Sequence, residues 1–253
     1  MKRDYDIIII TGEYHDDHPL SLTGIINRVL IDKGFSVGII EKPVKKEDFL
    51  IYGTPKICFC VTSGSIDSML NNYTPLKKKR IDDLHSKVTK MPDRAVIFYC
   101  NKLKEYFKGC KIAIGGIEAS LRRFTHYDYW DNKIRRSIML DSRADILVYG
   151  NGEKQIIEIA DKLKHDKEIN NIEGTCVISN ELPKGFVEIP TYESVKDSKK
   201  EFCKAQTMFS NMKNIAQKHG NRYVLQFKSP KYTPASSSAS LIIAAVKFSP
   251  GST

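Results

Sequence analysis

The sequence predicts an α/β fold, a mostly parallel sheet with helices on both faces. Three observations carry it. Short apolar runs alternate with stretches of helical periodicity, as in a chain of β-α-β units. The runs are apolar on both faces, which suits strands sandwiched between two helix layers. Several end in glycine or small hydroxyl residues, the turn chemistry of a strand that hands over to a helix.

Tyr5 to Thr11 is the first such run. Leu22, Ile25, Ile26, Val29 and Leu30 then recur at helical spacing, and Gly34 supplies the stop. Ser36 to Ile40 reads as a second strand. Lys56 to Thr62 is a third, with Ile57, Phe59 and Val61 expected on one face and Cys58 and Cys60 on the other. Pro92 is placed to open a helix carrying Val96, Tyr99, Leu103 and Tyr106. Lys111 to Ile114 and Ile146 to Tyr149 are further strands, and Lys154 to Lys164 is a short amphipathic helix. Beyond Thr175 the pattern changes. Val177 and Ile178 suit a last strand; Phe202, Ala205, Phe209, Met212 and Ala216 predict a helix running to near Gly220; Tyr223 to Phe227 reads as a strand. From Lys228 onward, prolines and a Ser236 to Ser238 run predict an irregular tail. The expected division is therefore 1–180 as the α/β domain, 181–227 as a helical and strand extension, and 228–253 as the tail.

Composition narrows the function classes. The 253 residues are 41% hydrophobic and 28% charged, which is ordinary globular material. No apolar run approaches the roughly 18 residues of a membrane span, and the N-terminal apolar stretch is too short for a signal peptide. A cytoplasmic protein with no membrane partner is the expectation. The six cysteines, at 58, 60, 100, 110, 176 and 203, show no zinc spacing and read as reduced thiols.

The net charge of +10 is concentrated: residues 71–143 hold 17 Lys and Arg against 8 Asp and Glu. Lys77 to Arg80 and the Arg135-Arg136 pair are its sharpest points. Such a segment attracts polyanions, and nucleic acid is a candidate partner. A solvated basic loop is the alternative.

In open α/β sheets, ligands bind beyond the carboxyl ends of the strands, so those residues are the candidate ligand contacts. After the first strand stand Asp17 and His18, in a loop of two histidines and three carboxylates. Its spacing matches no metal-ligand pattern and suits helix capping or contact with an organic ligand. After the third strand come Thr62, Ser63 and Gly64, which open a helix; hydroxyls and glycine there either hold an anion or only start the helix. Gly115, Gly116 and Glu118 follow the fourth strand, and Asn151, Gly152 and Glu153 the fifth. No Gly-x-Gly-x-x-Gly or Walker motif accompanies them.

One block stands apart. Arg122, Arg123, His126, Tyr127, Tyr129 and Trp130 lie within nine residues. Arginines among aromatics stack bases or grip phosphate. The same composition also makes a polar-aromatic plug inside a fold or at a domain interface.

These blocks together carry a resemblance. Asp17-His18-Pro19, Gly34 to Ile40, Val61 to Gly64, Asp67-Ser68-Met69, Asn72-Tyr73-Thr74, Pro92 to Ala95, Tyr99-Cys100-Asn101, Gly115 to Arg123, His126 to Trp130, Arg135 to Ile138 and Val148 to Asn151 resemble the N-terminal part of the YgiQ-type radical SAM proteins. The resemblance covers roughly residues 5–230. It implies a Rossmann-like, cobalamin-binding-type domain followed by the start of a radical SAM barrel. In the full-length family it implies a [4Fe-4S] cluster held by Cys-x3-Cys-x2-Cys, with SAM at the iron those thiolates leave open. None of the six cysteines here has that spacing, so neither cofactor is expected in this chain, and whether it is itself an enzyme stays open. The expectation is a truncated, frameshifted or fragment product whose partner is the missing C-terminal barrel. Cobalamin is argued against by the absence of Asp-x-His-x-x-Gly.

Overall fold

A computed structural model describes residues 4–14, 21–80, 91–209 and 214–229. The Asp17 and His18 candidates, and all but the first two residues of the expected tail, lie outside these ranges.

The first strand, β1 (Ile7–Thr11), is four isoleucines and a threonine, every one of them buried. Alternation along a strand sends them to two layers. Ile8 and Ile10 enter one core with Phe59, Val61 and the helical Val96, Tyr99 and Leu103, whereas Ile7 and Ile9 enter a second with Cys58, Cys60, Leu30, Ile156 and Ile159. Full burial of each isoleucine is worth about 1.5–3 kcal/mol, so β1 is the spine of the domain.

Helix α1 (Leu22–Asp32) follows, capped by the Ser21 hydroxyl, which accepts from the Gly24 N–H at 3.3 Å. It ends at Gly34, whose φ of +84° places it in the left-handed region glycine favours. Next come β2 (Val37–Glu41), α2 (Lys46–Leu50), β3 (Cys58–Thr62), α3 (Ser68–Asn72), α4 (Ala95–Tyr106), β4 (Ile112–Ile114) and α5 (Gly116–Leu121). A two-stranded hairpin, β5 (His126–Asp128) and β6 (Lys133–Arg135), interrupts the pattern before α6 (Ile138–Ser142), β7 (Ile146–Val148), α7 (Glu153–Lys164) and β8 (Thr175–Ser179). The described chain closes with β9 (Val187–Ile189), α8 (Tyr192–Asp197), α9 (Lys199–Phe209), β10 (Ile215–His219) and β11 (Arg222–Gln226).

Among the described residues the main sheet has nine strands in the order β2-β1-β3-β4-β7-β8-β11-β10-β9. From β2 to β7 every pairing is parallel. The β7–β8, β8–β11 and β10–β11 pairings are antiparallel, and β9 lies parallel to β10. The sheet is mostly parallel, as the sequence predicts. α4 packs on one face, and α1 and α7 pack on the other.

Three local expectations need correction. The predicted helix does not extend through Ala216: α9 is described to Phe209, and Ala216 lies in β10, paired with Leu225 of β11. Its helical spacing is outweighed by the ladder that Ile215 to His219 form with a neighbouring strand. Ile57 precedes β3 and packs on the Cys58 side, away from Phe59. The helix expected at Pro92 starts at Ala95, after Arg94 in a left-handed conformation, while Asp93 accepts from Tyr73 and Asn72 at 2.7 and 2.9 Å.

Candidate functional site

The chain runs from β1 to β2 on one side and then to β3 on the other, so the strand order reverses between β1 and β3. At such a switch point the two loops diverge and leave a crevice at the carboxyl ends of the strands. Here the crevice is tightly built. The Gly12 N–H donates to the Thr62 carbonyl at 3.2 Å, the Thr62 hydroxyl accepts from the Gly64 N–H at 3.1 Å, and the Ser65 hydroxyl donates to Glu13 Oε1 at 2.9 Å. Ser63 is fully buried and donates to the Ile66 carbonyl at 2.9 Å. A Cβ on Gly64 would stand 2.4 Å from the Glu13 carboxyl carbon, and one on Gly116 2.5 Å from the Thr62 hydroxyl. Both glycines have φ near +90°, so space and backbone both demand them.

Beside this crevice lies a cavity of about 70 Å³. Thr62, Gly115, Gly116 and Gly152 line it, together with Leu22, Thr23 and Ile26 of α1, Val148 of β7 and Ile156 of α7. Four of the sequence-predicted candidates, from three separate loops, are thus brought to one place. Ser63, Gly64 and Glu118 are not part of its lining, nor are Asn151, which is exposed, and Glu153, in the first turn of α7. The cavity is far smaller than the roughly 300–1,000 Å³ of drug-sized ligand sites. It suits a group of a few atoms.

Glu118 is placed differently from the other candidates. It is 1% exposed; one carboxylate oxygen accepts from the Ser68 N–H and the other from the Val96 N–H, both at 3.0 Å. These are N–H groups of the first turns of α3 and α4, so one carboxylate caps two helices that begin 27 residues apart. Burial, and then the nearby Asp67 carboxylate, push its pKa up, against the pull of the Ser68 hydrogen bonds and Arg122.

The arginine-aromatic block is engaged within the fold. Arg122 pairs with Asp67, whose other oxygen caps α3 by accepting from the Met69 N–H at 2.9 Å. Arg123 donates to the Gln226 side chain at 2.7 Å and the Ser120 carbonyl at 2.6 Å, and its guanidinium lies 4.8 Å from the Tyr149 ring centre and 4.7 Å from that of Phe209. Burial lowers its pKa, yet it stays a cation at any ordinary pH. Arg123 therefore bolts β11 and α9 onto the parallel half of the sheet. Arg123→Ala is expected to cost about 2–4 kcal/mol in a urea titration, since it strands a buried amide acceptor and removes a cation from two rings. A loss below about 0.5 kcal/mol would show that the bolt carries no weight.

His126 is partly buried; its Nδ1–H donates to the Phe124 carbonyl at 3.1 Å, and Nε2 has no partner. Tyr127 and Tyr129 are about half exposed, with hydroxyls donating to Asn132 and to the Pro75 carbonyl, each at 2.6 Å. Trp130 packs against Tyr129 and Tyr73. Sequence reasoning missed the ion network beneath this block. Asp128 is nearly buried between Arg94 and Arg135, at 2.8 and 2.7 Å, and Asp131 lies 2.9 Å from Arg94. The Arg135 hydrogen bond, with Arg94 behind it, holds the Asp131 carboxyl down to about 2. Spacing alone hints at Asp131 with Arg135, but Arg94 joins only through the fold.

The strand reversal beside β1 and the glycine-lined cavity at the strand ends define a Rossmann-like α/β domain. The model of the family described as radical SAM N-terminal matches residues 2–241. The chain belongs to that family. It is 49% identical over 244 residues to a UPF0313 protein of Clostridium botulinum strain 657, and 45% identical over 238 residues to one of Methanocaldococcus jannaschii. Those alignments take in 89% and 88% of this chain but only 38% and 40% of the relatives, so the chain spans well under half the length of the curated proteins it matches. Among solved structures, the radical S-adenosylmethionine methyltransferase TsrM of Kitasatospora setae aligns with a TM-score of 0.47 at 14% identity, over 68% of this chain and 28% of that one.

Proposed function

We propose that this domain is the non-catalytic N-terminal module of a radical SAM iron-sulfur protein, its partner being the part of the family protein that carries the cluster and binds SAM. The placement of the cysteines carries this reading. Cys58 and Cys60 sit in the core on one side of the sheet, and Cys100, Cys110 and Cys176 in the core on the other; Cys203 is exposed on α9. No group of three or more His, Cys, Asp or Glu converges as a metal site among the described residues. Burial raises the Cys176 thiol to about 12 and pushes that of Cys100 well up, so neither thiolate is readily formed. These residues do not fit a [4Fe-4S] cluster, which needs three adjacent thiolates. What the module offers instead is a preformed strand-end edge, with room at Thr62, Gly115, Gly116 and Gly152 for a small organic group.

The basic segment supports a second reading, polyanion binding, less well. Arg122 and Arg123 spend their donors inside the fold, and Lys77 donates to the Trp130 carbonyl at 3.2 Å. A cytoplasmic setting is part of the proposal; no helix among the described residues is long and apolar enough to cross a membrane.

The test is anaerobic reconstitution with iron and sulfide, followed by reductant and SAM. The isolated chain is expected to retain no stoichiometric iron and release no 5′-deoxyadenosine, while the full-length C. botulinum relative does both. Release of 5′-deoxyadenosine by the isolated chain would overturn the proposal.

A further inference from the structure

We infer that the apolar groove between α3, α5 and the β5–β6 hairpin is where the polypeptide following this domain in the longer family members docks; the inference rests on the function proposed above and locates its partner. The groove is about 520 Å³. Ile66, Leu70, Ile117, Leu121, Tyr127 and Tyr129 line it, and each is 40–59% exposed. Single exposed apolar residues are ordinary, but six of them around one groove mark a surface that something covers.

Two observations indicate what covers it. The curated relatives are much longer, the matched region making up only 38% of the C. botulinum protein, and the family model that matches is an N-terminal one, so most of the relative is expected to follow it. The way out of the domain also leads there. Strand β11 is antiparallel to β8, which is antiparallel to β7, so β11 ends at the same edge as the parallel strands. The Tyr149 hydroxyl donates to the Phe227 carbonyl at 2.5 Å and the Gly174 N–H to the Lys228 carbonyl at 3.1 Å, fixing the exit at that edge. Adjacent arginines join exit to groove: Arg123 holds Gln226, and Arg122 lines the groove. The described chain therefore ends, at residue 229, on the sheet edge that also carries this groove, which no described residue covers.

The groove also states its occupant's chemistry. Its rings are held in advance, because the Tyr129 hydroxyl is bonded to Pro75 and the Lys77 ammonium lies 4.7 Å from the Tyr129 ring. Docking then costs little side-chain entropy. Lys78 and Lys79 are exposed on the neighbouring loop, so the matching face is an apolar ridge with carboxylates at its border.

Hydrogen exchange on this chain and on the full-length C. botulinum relative tests the inference, with iron content read on the same relative. Amides aligned with residues 66–70 and 117–130 are expected to exchange about tenfold or more slowly in the full-length protein. Equal, fast exchange in both proteins overturns the docking site. Slow exchange in this chain at low concentration also overturns it, assigning the groove to a segment of the chain itself. Slowing only at high concentration, with a dimer in sedimentation, overturns it in favour of a second copy. A full-length relative that holds its cluster without protecting these amides removes the docking site alone; one that holds no cluster removes the functional proposal.

Discussion

Glu118→Ala is expected to destabilise the domain by about 3–5 kcal/mol, the largest loss from any single strand-end residue. Its carboxylate is the acceptor for two buried N–H groups, at Ser68 and Val96, on two different helices. Alanine leaves both donors unpaired, at about 1–3 kcal/mol each, and adds a small cavity. Glu118→Gln keeps one acceptor oxygen but turns an amide N–H toward the other donor, so about half the loss is expected. Urea unfolding at pH 7.5 decides the point. If Glu118→Ala unfolds at the wild-type midpoint, the double cap has no energetic weight and a ligand-facing role regains its standing.

Acid is expected to unfold the domain through two histidines, His219, which is buried, and His126, which is partly buried. His219 is 7% exposed, stacked on Tyr192, with neither ring nitrogen hydrogen-bonded; His126 has one free nitrogen. Burial drives both down to about 4 from an ordinary value of 6.5. Both are neutral in the folded state at neutral pH. As pH falls below about 6.5 the unfolded chain takes up protons that the folded chain refuses, so stability drops until pH reaches about 4. At pH 4.5 each histidine has removed about 2–3 kcal/mol. Glu118 acts in the opposite sense: its raised pKa costs stability as pH rises above the ordinary carboxyl value, which partly offsets the histidines. His219→Phe breaks no hydrogen bond and keeps the ring stack. It should leave stability at pH 7.5 within about 1 kcal/mol of wild type and remove roughly half of the acid-induced loss. An unchanged dependence on pH between 6.5 and 4.5 would show that His219 is not the group titrating.

Much of the fold is legible in local pattern. The isoleucines of β1, the mixed faces of β3 and the stripe of α4 each state their own burial, because a two-sided strand and a one-sided helix differ in period. The later chain is less legible. Ile215 to His219 was predicted as helix, since a short segment with apolar residues at both spacings is settled only by the strand that pairs with it. Of the candidate site, Thr62, Gly115, Gly116 and Gly152 were recognisable as strand-end residues, and they do line one cavity. The role of Glu118 was not recognisable: a carboxylate in a glycine-rich turn looks the same whether it faces a ligand or two helix ends.

Local sequence alone determined the order and type of most elements, the two-layer core, and the edge of the sheet to which the chain's unusual residues belong. Family membership, too, was written in the motifs from Gly115 to Trp130. Only the tertiary structure decided what those residues do. The partner of Arg122 lies 55 residues away and that of Arg123 lies 103 away, so their charges, which read as a polyanion grip along the chain, are neutralised or buried within the fold. The physical reason is one of range. Periodicity and turn chemistry act over a few neighbouring residues, whereas the pairing of a buried charge is set by whichever distant strand or helix packing brings beside it.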